Sequence, residues 1–169
     1  GSAHKSPLIR GLVYAWIGQN ILLCISAIRR LDLYVETYSL TELRVAAGIW
    51  MGLVAVGLAL ILLRILLRRS NTWLVATNLA SLALTLYVCS YVDIPAFIAR
   101  FNVDHSYELS GEGTPLDLEY LRELGPTVIP ALDEYLASPA SQNTDKAASA
   151  RHARDELVQR FASQSTDWR

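Results

Sequence analysis

Apolar residues run through the first half of this chain without the regular polar interruptions of a soluble helix. Gly11–Ile28 holds 18 residues without a formal charge, broken only by Gln19–Asn20. Val45–Leu63 is 19 uncharged residues, nearly all aliphatic, and Trp73–Val92 is 20 uncharged residues around Asn78. A helix crosses a bilayer core with about 20 largely apolar residues, whereas a core helix of a soluble protein keeps a polar face. The pattern predicts three membrane spans, at about 11–28, 45–67 and 73–95. A short basic stretch (His4, Lys5, Arg10) precedes the first, as it would a signal peptide. However, Arg29–Arg30 follows it and no small-residue cleavage site presents itself, so the segment reads as a retained helix.

Between the first two spans, Arg29–Arg44 mixes alternating and helical spacing. Tyr34 and Tyr38 would share one helix face, suited to the headgroup level. Ser39 is a candidate cap for a helix starting at Leu40, with Glu42 at its third position. After Val92 the pattern changes. Asp93 and Pro95 end the third span, and Ala96–Phe101 reads as its interfacial prolongation. Ser110-Gly111-Glu112-Gly113 is a loop, and Thr114-Pro115 is a helix start, with threonine as cap and proline in the first position.

Three short amphipathic helices are expected in this tail. Pro115–Leu124 shows Leu116, Tyr120, Leu121 and Leu124 on one face, and about Thr127–Ala137 shows Val128, Leu132, Tyr135 and Leu136. After a linker at Ser138–Asn143, about Asp145–Ser163 carries Ala147, Ala150, Ala153, Leu157, Val158 and Phe161. So few large side chains make a marginal core. Tyr120, Leu121, Leu132, Tyr135 and Phe161 are therefore the expected partner surface. The fold class is all-α: residues 1–10 lead into a three-span membrane domain (11–102), followed by a small extramembrane helical tail (103–169).

Charge sharpens this division. Of 169 residues 52% are apolar and 18% charged, against about 25% in ordinary soluble domains. Nine ionised side chains fall in residues 11–92 and twenty in residues 93–169. A net charge of −1 without a basic run argues against nucleic acid as partner. Lysine and arginine near span ends favour the cytoplasm. The tight Arg64, Arg68, Arg69 group therefore puts the amino terminus and the second turn there, and the tail outside it.

Candidate chemistry is sparse. Gly48-x-x-x-Gly52, with Gly57 beyond, permits close helix approach, and Asn78 and Gln19–Asn20 read as hydrogen-bonding contacts between helices. Asp93, Asp104, His105 and Glu108 match no metal-ligand spacing, and the carboxylates of the tail form no acid/base pair. Neither a phosphate loop nor a nucleophile motif is present. Two cysteines 65 positions apart read as small apolar side chains. No cofactor or metal is expected.

The string Leu33-Tyr34-Val35-Glu36-Thr37-Tyr38-Ser39-Leu40-Thr41-Glu42-Leu43-Arg44, followed directly by a span, resembles a bacterial family of polytopic inner-membrane proteins of unknown function. That family shows an aromatic-x-x-x-Tyr-Gly-Leu-Thr-x-x-Arg motif, matched here by Tyr34, Tyr38, Leu40, Thr41 and Arg44. The likeness extends to Asp93, Ile98-Ala99-Arg100-Phe101-Asn102, the Leu116–Leu124 helix and the closing Asp167-Trp168-Arg169. Ser39 stands where the family usually has glycine, which argues against a left-handed backbone there. The resemblance implies further spans upstream and a place in the bacterial inner membrane, and it implies no activity.

Two functions are consistent with these features. One is a non-enzymatic membrane component or accessory subunit, whose tail engages a partner and whose spans meet lipid and other helices. The other is the carboxy-terminal part of a transporter or membrane-bound enzyme whose chemistry lies in upstream spans.

Overall fold

A computed structural model describes residues 7–139 and 145–166 of the chain. The expectations for residues 1–6, for 140–144 of the linker and for Asp167-Trp168-Arg169 lie outside these. The described residues are mostly helical and contain no strand. Three long helices come first: α1 (Pro7–Tyr38), α2 (Glu42–Leu66) and α3 (Asn71–Tyr91). All three are long and apolar enough to cross a membrane, and almost none of their side chains is buried within the chain. Leu22, Leu23, Trp50, Val54, Leu79, Leu84 and Leu86 are among the exposed ones. Apolar side chains turned outward along a whole helix suit lipid, because hydrocarbon replaces the protein core as their solvent.

Helix α1 is longer than its apolar run. Its 32 residues measure about 48 Å at the usual rise, against an apolar core of about 30 Å. Arg29 to Tyr38 thus continue the helix rather than forming a separate connector. The chain then turns at Ser39, whose φ of 65° is left-handed. The glycine-based argument against that conformation fails here, as does the cap assigned to Ser39, since α2 begins at Glu42. The strain of a left-handed residue, about 1–2 kcal/mol, is outweighed by the bonds that hold the next residue.

The rest of the chain is shorter helices: α4 (Ile94–Asp104), α5 (Tyr107–Ser110), α6 (Leu118–Glu123), a 3₁₀ turn (Pro126–Val128), α7 (Ile129–Ala137) and α8 (Asp145–Thr166). Ala96–Phe101 do not prolong the third span. Asp93 accepts from the Ala96 amide at 3.0 Å, starts α4 with Pro95 in its first turn, and so separates it from α3. The helix expected from Pro115 starts instead at Leu118, capped by Asp117, which accepts from the Tyr120 amide at 3.0 Å. Thr114 and Pro115 are not its start because the Leu116 backbone is claimed from outside. Its amide donates to Glu108 at 3.0 Å and its carbonyl accepts from Lys146 at 3.3 Å.

The chain forms two compact units. One comprises residues 1–33 and 43–88, and the other residues 34–42 and 89–169. In the second, α7 packs on α4 and α8, and α6 on α8. Its core joins Ala99 and Val103 of α4 to Leu116, Leu121, Val128, Ala131, Leu132, Tyr135, Ala150 and Leu157. Ala147, Ala150 and Ala153 of α8 are buried, and such small side chains let helices approach closely.

Candidate functional site

The second unit is assembled around a short piece of chain from the first half. Residues 34–42 carry the end of α1, the turn and the first residue of α2, and three side chains from beyond α3 bond to their backbone. Asn102 of α4 accepts from the Leu40 N–H at 2.7 Å and donates from Nδ2 to the Leu40 carbonyl at 2.9 Å. The Thr114 hydroxyl donates to the Thr37 carbonyl at 2.8 Å, and the Tyr120 hydroxyl accepts from the Glu42 N–H at 3.0 Å.

The chemistry of helix ends explains these bonds. The last carbonyls of a helix and the first amides of the next have no intrahelical partner. Thr37 lies in the last turn of α1 and Glu42 is the first residue of α2, so Thr114 and Tyr120 satisfy one orphan at each end. Leu40, between the helices, has both backbone groups met by a single amide side chain. Asn102 is 8% exposed and Leu40 is also buried, so these bonds form away from water.

The residues expected to matter fall into distinct places. Tyr34 and Tyr38 stack at the end of α1 with ring centroids 5.9 Å apart, and both are exposed. Leu40 is enclosed, and Thr41 and Arg44 are half-buried at the start of α2. Within the first unit, Gly57 and Asn78 come together. A β-carbon on Gly57 would lie 3.4 Å from Asn78 Oδ1, while one on Gly48 would lie 3.5 Å from Leu31 and one on Gly52 would meet open space. Asn78 Nδ2 donates to its own helix at Leu74 O, 2.8 Å away, and Asn20 does the same to Trp16.

The expected partner surface needs correction. Leu121, Leu132 and Tyr135 are 0% exposed and form the core of the second unit, so they hold it together and present nothing outward. Tyr120 is half-buried and bonded to Glu42. Phe161, at 58%, is the exposed member of the set, with Val158 one turn before it.

Polar residues of the tail serve local structure. Glu108 is 8% exposed in its side chain and pairs with the Lys146 ammonium. Burial pushes its carboxyl up, but the Lys146 bond and the Leu116 amide outweigh burial and hold it below its ordinary value. His105 bonds through Nδ1 to the Phe101 carbonyl at 2.9 Å, and its ring stacks on Phe101. Among the described residues no three of His, Cys, Asp and Glu gather as a metal site.

The roles of Asn102, Thr114 and Tyr120 were not legible from spacing. One sign was available: Ile98, Ala99, Asn102 and Val103 share a helix face, and an asparagine amid apolar residues on a buried face requires a polar partner.

Three membrane-length helices with an attached helical unit define this as a helical, multi-pass membrane protein. The chain belongs to the DUF4153 family, a domain of unknown function whose profile matches residues 1–135, from the amino terminus into α7. No curated protein and no solved structure matches it.

Proposed function

We propose that this chain is a non-enzymatic component of a bacterial inner membrane, with the α2–α3 turn in the cytoplasm and the helical unit outside it, where it engages a protein partner. The observation that carries this reading is the attachment of residues 34–42 to Asn102, Thr114 and Tyr120. A partner that binds the helical unit then acts directly on the backbone joining two membrane-length helices. The exposed Phe161 and Val158 of α8 supply an apolar contact for such a partner. The arginines of the α2–α3 turn favour the cytoplasmic side for that turn.

Reporter fusions at Ser70 and Ser163 test the sidedness and should give opposite signals. Affinity capture with the detergent-solubilised chain tests the partner. A partner retained by the intact chain and lost on Phe161→Glu supports this reading; capture insensitive to that change refutes the surface.

A second reading, part of a transporter or membrane-bound enzyme, has one observation in its favour. Thr77, Asn78, Ser81 and Thr85 line one side of α3, each bonded to its own helix. Substrate uptake by the natural protein that is abolished by Asn78→Leu would favour it.

A further inference from the structure

The last turn of α2 and the turn that follows it hold three arginines in six residues, and none of them meets a carboxylate among the described residues. Its backbone is a defined helix terminus. The Arg69 N–H bonds to the Arg64 carbonyl at 3.0 Å, and Arg68 between them has a φ of 52°. This is the six-to-one bond of a Schellman turn, whose left-handed position is ordinarily glycine. Here that position carries a long cationic side chain, in a conformation that disfavours any β-carbon.

The neighbouring groups share the same electrostatic sign. The Nε of Arg64 is enclosed and has no acceptor among the described residues. On the other side of the turn, the Ser70 hydroxyl accepts from the Trp73 amide at 3.1 Å. The amides of Asn71 and Thr72, at the start of the 21-residue α3, are left without intrahelical partners at the positive end of its dipole. In the same stretch, Leu63, Leu66 and Leu67 are 40%, 63% and 54% exposed. Exposed leucines interleaved with unpaired arginines offer the two kinds of surface that a phospholipid needs, cationic for its phosphate and apolar for its acyl chain.

We propose that the Arg64, Arg68 and Arg69 turn binds the phosphate of an anionic phospholipid. The guanidinium forks of Arg68 and Arg69 take the phosphate oxygens, since planar paired donors match that geometry. Arg64, half-buried at the same helix terminus, adds a third positive charge. The leucines take the first part of an acyl chain, which distinguishes a lipid from free phosphate.

The test uses the full chain in a neutral detergent, with lipid retention read by native mass spectrometry. Phosphatidylglycerol should be retained over phosphatidylcholine of the same chain length by at least about fivefold, the equivalent of one interfacial arginine. Arg68→Gly relieves the left-handed residue and keeps the turn, so it should fold at least as well while losing most of that preference. Arg64→Gln with Arg69→Gln should abolish it. Arg29→Gln with Arg30→Gln, which removes equal charge from the far part of α1, should leave it unchanged. Equal retention of the two lipids, or full preference in Arg68→Gly, overturns the site. An equal loss in the Arg29 and Arg30 variant overturns it in favour of bulk charge. Displacement of the lipid by millimolar inorganic phosphate overturns the lipid assignment in favour of a free anion.

Discussion

Asn102 holds Leu40 by both of its backbone groups, accepting from the N–H at 2.7 Å and donating to the carbonyl at 2.9 Å across 62 positions of sequence. An asparagine side chain is a single peptide-like amide, and here it pairs with a buried residue as a neighbouring strand would. Removing it leaves a buried donor and a buried acceptor unmet, each costing about 1–3 kcal/mol. Asn102→Ala should therefore destabilise the helical unit by roughly 2–4 kcal/mol. Asn102→Asp, which keeps the acceptor and loses the donor, should cost at least as much because it also buries a charge. Denaturant unfolding of the detergent-solubilised chain, followed by circular dichroism, measures both. A change within about 0.5 kcal/mol, typical of a surface site, would show that water replaces the side chain.

Ser39 gives a test of opposite sign. Its left-handed backbone suits glycine and strains a β-branched residue most. Ser39→Gly should leave stability unchanged or raise it by up to about 1 kcal/mol, and Ser39→Val should lower it by more than about 1 kcal/mol. Comparable behaviour of the two variants would mean that the turn relaxes to another conformation.

Tyr135 is fully buried, and its hydroxyl has no hydrogen-bond partner. A buried polar atom without a partner opposes folding by about 1–3 kcal/mol. Tyr135→Phe removes that atom and keeps the ring, so it should be neutral or stabilising. Leu132→Ala, in the same core, should cost about 2–5 kcal/mol. If Tyr135→Phe proves as damaging as Leu132→Ala, the hydroxyl has a partner in solution.

The Glu108–Lys146 pair makes stability depend on acidity in a defined direction. The folded protein holds the Glu108 carboxyl below its ordinary value of 4.5. Its contribution is complete above that value and is lost as the pH falls below it, through the lowered folded value. Glu108→Gln should therefore lower the melting temperature at pH 7, and the gap from the unaltered chain should narrow below about pH 4.5. A gap that stays constant between pH 7 and pH 3.5 would show that packing, not charge, is what the substitution removes.

These four sites mark where sequence reasoning succeeds and where it stops. The spans are legible because an uncharged apolar run of bilayer length has few other uses, and α8 is legible because its alanines recur at helical spacing. The start of α6 was not. Thr114-Pro115 is a strong local signal, but Glu108 and Lys146, 8 and 30 positions away, claim the backbone of Leu116. Ser39 was misread for a similar reason, since the bonds that favour its turn come from Asn102. A partner surface inferred from large apolar residues named core residues instead, because amphipathic spacing identifies a buried face without saying what buries it.

The contribution of α4 to the core decides where the helical unit can be cut. A division at residue 103 follows the composition of the sequence, yet Ile98 and Ala99, both fully buried, lie before it, as does Asn102. Helix α4 packs on α7 and on the 3₁₀ turn, so its removal exposes Val128 and Leu132 to water. Losing a buried isoleucine alone costs about 2–5 kcal/mol, a large part of the 5–15 kcal/mol that stabilises an ordinary domain. Residues 103–169 expressed alone should therefore be weakly helical and melt without a cooperative transition. Residues 89–169, which restore α4, should gain helicity and cooperativity while still lacking the backbone of 34–42. The intact chain in detergent should be the most stable of the three. A cooperative transition above about 60 °C for residues 103–169, in the upper range for ordinary domains, would show that α6, α7 and α8 suffice and that α4 is dispensable to the core.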